Sequence, residues 1–178
     1  VAVAGNNAFA HDAAQGAGER RVGILDRLVL TDQPAQLAPQ LARFEAHARV
    51  LSVDRYAGDR AAKVAPLDIA LGWGPLSDSV TLKIVDVAQT KRGVVFKSYD
   101  PKLPDEQAAT FLLNVHVIAA DAALGKKLED LRRGNVVRMQ GWLVEAVSGD
   151  GWRWRREERR ESPAMPGTLL WLTHIEVS

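Results

Sequence analysis

Apolar and polar positions alternate most strictly in "TFLLNVHVIAA", residues 110–120. Phe111, Leu113, Val115 and Val117 fall on one face, and Leu112, Asn114, His116 and Ile118 on the other. That two-residue period predicts a strand. "GVVFKSYD" alternates in the same way, and "TLLWLTHIEV" reads as a closing strand. "NVVRMQGWLVEAV" is a further strand with Gly141 near its middle, where glycine marks a bend or a close approach of backbones. Val22, Ile24, Leu28 and Leu30 give a half-alternating strand that Asp32-Gln33-Pro34 ends. Residues 41–53 fit either period, but Phe44, Ala46, Ala48 and Val50 followed by a β-prone run favour a strand over 44–53. Val80, Leu82 and Ile84 extend another strand through Val87.

Helical periodicity is plain in one place. Leu124, Leu128 and Leu131 recur at helical spacing over 121–133. Asp121 stands at the N-cap, Arg132 and Arg133 complement the C-terminal dipole, and Gly134 ends the run. Residues 56–78 carry turn chemistry at Gly58, at Pro66 and from Gly72 to Pro75, which predicts a long connection with at most a short helix over 66–71. In "LGWGPLSD", Trp73 is expected to tuck beneath the sheet while Gly72 and Gly74 turn the backbone around it. Ser77 or Asp78 would cap a short helix. "SGDG" predicts a turn into "WRWRREERRE", making a hairpin.

Many short strands, one good helix and no regular strand–helix alternation exclude a doubly wound sheet. The pattern predicts a mainly β chain: a small OB-like or barrel-type domain over 21–178, following a flexible or partner-bound segment over 1–20. Composition changes this picture only at its margins. The 178 residues are 47% hydrophobic and 25% charged, with a formal net charge of +1. No global field therefore marks a nucleic-acid or acidic-membrane binder. The absence of cysteine removes disulfides, thiolate catalysis and cysteine-ligated metals. No run is long enough to form a transmembrane helix. "VAVAGNNAFA" is small and apolar, and Ala8-Phe9-Ala10 has the form of a signal-peptidase site, so the start reads as the tail of an export or anchor segment.

Candidate chemistry is sparse. Gly72-Trp73-Gly74 lacks the third glycine and the long helix of a dinucleotide site. The four histidines have no metal spacing, and no cofactor or metal is expected. His116 is the candidate acid–base group, oriented by Asn114 on the same strand face. The competing reading is a polar pair bonded within the sheet. Asp86, Ser77 and Asp78 could complete a constellation, although spacing gives no proximity. In 152–161, Trp152 and Trp154 alternate with arginines, a pattern seen in single-stranded nucleic-acid binders. Three glutamates against five arginines dilute that charge, and a hairpin with one core face explains it equally.

Taken together, "QPAQ", "LARFEAHARVLSVDRY", "APLDIALGWGPLSD", "LNVHVIAAD", "RRGNVVRMQGWLVEAV" and "DGWRWR", in that order, resemble a family of uncharacterised bacterial proteins with an N-terminal export or membrane-anchor segment. The resemblance spans about Gln33 to Trp154. It places Asp68, Gly72, Trp73, Gly74, Ser77 and Asp78 on a first motif, and Gln89 and Arg92 on a second. Asn114 and His116 fall on a third, Gly134, Gly141 and Trp142 on a fourth, and Trp152, Arg153 and Trp154 on a fifth. This chain departs from the pattern around Arg92, before Asn114 and after Trp154, which speaks against a fixed catalytic set. The family carries no activity over. It implies a periplasmic or membrane-associated binding or assembly module, an accessory subunit with protein partners in the envelope. Ser77, Asp78, Gln89, Arg92, Asn114 and His116 would form its binding surface, and Gly72, Trp73, Gly74, Gly134, Gly141, Trp152 and Trp154 its structural set. A hydrolase using His116 and a nucleic-acid-binding OB-like domain are the alternatives.

Overall fold

The computed structural model describes residues 35–37, 42–90, 92–148, 150–154 and 165–178. The expected N-terminal segment, the strand over 22–30 and the hairpin strand beyond Trp154 lie outside these. In chain order the elements are β1 (Ala35–Leu37), β2 (Ala42–Arg55), α1 (Arg60–Val64), β3 (Leu67–Gly72), β4 (Val85–Thr90) and β5 (Gly93–Ser98). There follow α2 (Asp105–Ala108), β6 (Leu112–Ala119), α3 (Ala122–Glu129), β7 (Val136–Leu143), β8 (Ala146–Ser148), β9 (Arg153–Trp154), β10 (Met165–Pro166) and β11 (Thr168–Val177).

Five strands close into a barrel in the order β11-β6-β3-β2-β7. The β6–β11 pairing is parallel and the other four are antiparallel. β2 pairs with β7 through its first half and with β3 through its second, and a register shift between Val50 and Ser52 bends it from one to the other. With α3 between the third and fourth barrel strands, this is the expected small barrel of OB type.

The alternation read from the sequence sorts side chains between inside and outside. Phe44, Ala46, Ala48 and Val50 of β2 point inward, with Ile69 and Leu71, Val115 and Val117, Val137 and Met139, and Leu170 and Leu172 from the other strands. Leu124 and Leu128 of α3, with Leu131 just after it, pack on this same core. Gly141 is needed because a methyl group there would overlap the Trp171 carbonyl across the β7–β11 seam, which is the close backbone approach expected of it.

The outside of the barrel is covered in two places. The α1 end and the β8–β9 hairpin bring Val64, Ala65, Ala146, Trp152 and Trp154 against Ile118, Leu169 and Trp171. The β4–β5 hairpin and α2 bring Val85, Val87, Val94 and Ala108 against Leu51, Ala70 and Leu112. β3 and β6 therefore have apolar side chains on both faces.

Four expectations need correction. Residues 67–72 are a strand, not a short helix; every residue of β3 is buried, so no alternation marks it. The helix of that region is α1, capped by Asp59, whose carboxylate accepts from the Ala62 N–H at 2.5 Å. Residues 81–83 form a turn of 3₁₀ helix, and β4 starts only at Val85. The Asp78 carboxylate imposes that turn by accepting from the N–H groups of Val80 (3.1 Å) and Thr81 (2.9 Å), which leaves Val80 and Ile84 exposed. The helix predicted over 121–133 stops at Glu129. Arg55 and Arg132 donate to the carbonyls of Glu129 and Leu131, closing the end early and turning Leu131 into the core. Gly134, at φ 96°, then turns the chain into β7. Finally, Trp73 is only half-buried. Leu76 is the fully buried residue of that loop, and Gly72 ends β3 against Leu51 without turning the chain.

Among the described residues no helix is long and apolar enough to cross a membrane.

Candidate functional site

The β3–β6 register sets Asp68 opposite His116 and Ala70 opposite Asn114. These are outward positions, so the two covers of the barrel, and not its interior, decide their surroundings. Asp68 and Asn114 have no exposed surface, and His116 is 3% exposed. Three polar side chains on adjacent buried strands require partners.

Asp68 receives two. Its Oδ1 accepts from Arg92 Nη1 at 3.0 Å and lies 2.8 Å from His116 Nδ1. A carboxylate held by an arginine only accepts, so the network places the imidazole proton on Nδ1 and leaves Nε2 as the other ring nitrogen. That nitrogen faces Gly167, at the entry to β11, where a methyl group would overlap it. The same Arg92 Nη1 donates to the Ala65 carbonyl at 2.8 Å. Asn114 pairs with the Gln89 carboxamide of β4 at 3.0 Å, and its Nδ2 donates to the Arg92 carbonyl at 3.4 Å.

Arg92 sits in the turn between β4 and β5 at φ 67°, the one non-glycine left-handed residue among those described. Such a backbone costs on the order of 1–3 kcal/mol and persists where the surroundings fix it. Here they do. The guanidinium lies 3.7 Å over the Tyr56 ring and 5.3 Å from that of Trp154. Burial, first, and then the charge of Asp68 hold the Tyr56 phenol protonated well above its usual range, so it serves as a ring under Arg92, whose backbone N–H its hydroxyl accepts at 3.4 Å, and not as a base.

Trp154 also meets His116, their rings 4.9 Å apart, and Trp152 edge-on at 6.2 Å. Arg60 covers Trp152 at 4.8 Å and forks onto Asp150 through both Nη atoms at 2.8 Å. That fork, with Ser148, holds Asp150 well below the ordinary carboxylate range. Beside this assembly opens a cleft of about 300 Å³. His116, Arg92, Arg153, Trp152 and Trp154 line it, with the small residues Ala61 and Gly167. Among the described lining there is no hydroxyl or thiol, and the described residues hold no acidic and histidine cluster suited to a metal.

Gln89, Arg92, Asn114 and His116 are thus brought together as one site, with Trp152 and Trp154 beside it. Ser77 and Asp78 are not part of it. They belong to the loop after β3, where the Ser77 carbonyl accepts from Arg49 and Asp78 caps its turn. Asp86 is exposed on β4, opposite Lys97. Asp68, Tyr56, Arg60 and Gly167 were not singled out as site residues. For Asp68 a signal existed: a lone carboxylate inside "PLDIALG" needs a buried counter-ion once that run is read as a strand. Tyr56, Arg60 and Gly167 left no such mark.

No protein-family model matches this chain, and no curated protein or solved structure does so.

Proposed function

We propose that the protein is a non-catalytic binding module of the bacterial envelope, an accessory subunit that engages its partner through the cleft beside Trp152 and Trp154. The observation that carries this reading is the state of the polar set behind the cleft. Asp68 is committed through Oδ1 to both Arg92 and His116, Gln89 to Asn114, and His116 is 3% exposed. Such a set braces a wall and has little reach toward a substrate. In front of it lie aromatic faces and the exposed Arg153, the residue types that anchor interfaces. Placement in the envelope and membership of a larger complex rest on the family resemblance.

The test is a native pull-down of the tagged chain from envelope membranes, run in parallel with Arg153→Glu. A partner recovered with the wild type and lost with the charge reversal supports the reading. Recovery of a lone monomer overturns it.

One observation favours the rival hydrolase. An aspartate–histidine pair whose second ring nitrogen sits at the edge of a cleft is a general-base arrangement. Turnover of model esters or phosphoesters that His116→Gln abolishes, in a protein that still melts cooperatively, would replace the binding reading with that one.

A further inference from the structure

The β8–β9 hairpin ends a three-stranded sheet in the order β1-β8-β9. Among the described residues β9 has a neighbour on one side only. Its register fixes which backbone groups face the other side. The Ser148 N–H donates to the Trp152 carbonyl at 2.9 Å, and Val147 and Ala146 then stand opposite Arg153 and Trp154. Ladder bonds in an antiparallel pair fall on alternate residues. Trp152 and Trp154 therefore bond toward β8, and the N–H and C=O of Arg153 point away from it. Among the described residues no backbone group bonds to either.

The cleft runs along that side. Trp152, Arg153 and Trp154 all line it. Successive side chains of a strand point to opposite faces, so a cleft that touches three in a row follows the strand's edge and not one of its faces. β8 takes one edge, which leaves the one presenting the N–H and C=O of Arg153. Arg153 is exposed and the two tryptophans are half-buried, so this edge is open surface. Ala61 and Gly167 also line the cleft and are small enough to let a second main chain approach. About 300 Å³ is at the lower end of small-molecule sites, which suits a short length of extended chain.

We infer that β9 is a docking edge, to which an extended segment of the partner adds as the next strand of the sheet, its main chain bonded to the N–H and C=O of Arg153. Side chains two residues apart on that segment rest against Trp152 and Trp154, which selects apolar or aromatic residues there. A two-residue strand that carries an arginine is a poor template for indiscriminate pairing, so the tryptophans choose the segment together with the edge. This deepens the binding reading above and rests on it, since it names the form in which the partner is held.

Phage-displayed random linear peptides panned on the full chain test it, followed by titration of the selected synthetic peptide and of copies methylated at one backbone nitrogen at a time. The selected peptide should bind one-to-one with a Kd below about 100 μM and change the tryptophan fluorescence. Methylating the nitrogen that faces the Arg153 carbonyl should weaken binding at least about tenfold, and methylating either neighbouring nitrogen should not. Arg153→Pro removes the outward N–H while sparing the bonds to β8, and should weaken binding to a similar degree. No binding peptide, equal response to methylation at every nitrogen, or unchanged affinity in Arg153→Pro overturns the inference. If that variant fails to fold, hydrogen exchange at the wild-type Arg153 amide gives the same answer. It should be fast in the free chain and slow with the peptide bound; an amide already protected in the free chain means that a segment of this chain covers the edge, and refutes the site. The two readings fail separately. A partner lost with Arg153→Glu but kept by Arg153→Pro leaves the module and removes the docking edge; peptide binding with the expected methylation pattern and no partner recovered does the reverse.

Discussion

Asp68 is the residue on which the site turns. It is wholly buried, and two groups from different parts of the chain, Arg92 from a hairpin turn and His116 from the next strand, share one of its oxygens. Truncating it removes the buried counter-ion of Arg92 and leaves only the exposed Asp59 carboxylate, 3.8 Å from Nη2, which approaches the situation in which breaking a buried pair costs most. Asp68→Ala should lower stability by about 3–5 kcal/mol in urea unfolding, and Asp68→Asn, which keeps an acceptor, by less. Equal stability of Asp68→Ala and wild type would mean that the pair is not formed. At this scale the sequence was readable where polarity broke an apolar alternation: Asn114 and His116 stood out because their strand was evident. Asp68 fell on a motif of the resemblance but did not stand out by pattern, because "LDIALG" is buried on both faces and offered no alternation for a carboxylate to interrupt. Arg92 was marked through the resemblance, but its left-handed backbone and its hold on Asp68 are long-range facts that local pattern does not encode.

The elements divide into barrel strands and covers. Four of the five barrel strands were legible because one period of apolar positions faces a single interior; β3, buried along its whole length, was not. The covers were less legible, since each buries only part of a surface and leaves exposed positions that mimic alternation. Val80 and Ile84 continue the rhythm of β4 on paper, yet both point to solvent, and the Asp78 carboxylate bends the chain there into a turn. Within the β4–β5 and α2 cover, Lys97 bonds the Asp105 carboxylate at 2.7 Å and the Ser98 N–H donates to it at 2.8 Å. The Lys97 bond, first, and then the Ser98 N–H depress the Asp105 pKa. A depressed folded-state pKa contributes stability above the ordinary carboxylate value, near about 4. That contribution is lost as the pH falls through the folded value. Asp105→Asn should therefore flatten the acid limb of the stability–pH curve and reduce its dependence on salt. Identical limbs for variant and wild type would show that the contact carries no linkage.

At the scale of the whole molecule, the covers decide what the barrel can do. OB-type barrels that bind oligonucleotides use the outer face of their second and third strands. In this chain Ala70 of β3 and Leu112 of β6 are packed under Val85, Val87 and Val94, so that face belongs to the protein's own core. A labelled single-stranded oligonucleotide should show no salt-sensitive change in anisotropy on addition of the protein; a steep salt dependence would revive the nucleic-acid reading. The order of the strands has another consequence. β11 follows every other barrel strand in the chain and pairs on both sides, parallel to β6 and antiparallel to β7. Until it is made, both neighbours keep an open edge, and open edges recruit other chains. A nascent chain therefore cannot complete its barrel one strand at a time during synthesis. It must stay shielded until Thr168 and the residues after it are free to join, and a ribosome stalled just before that point would release a sticky intermediate, not a smaller domain.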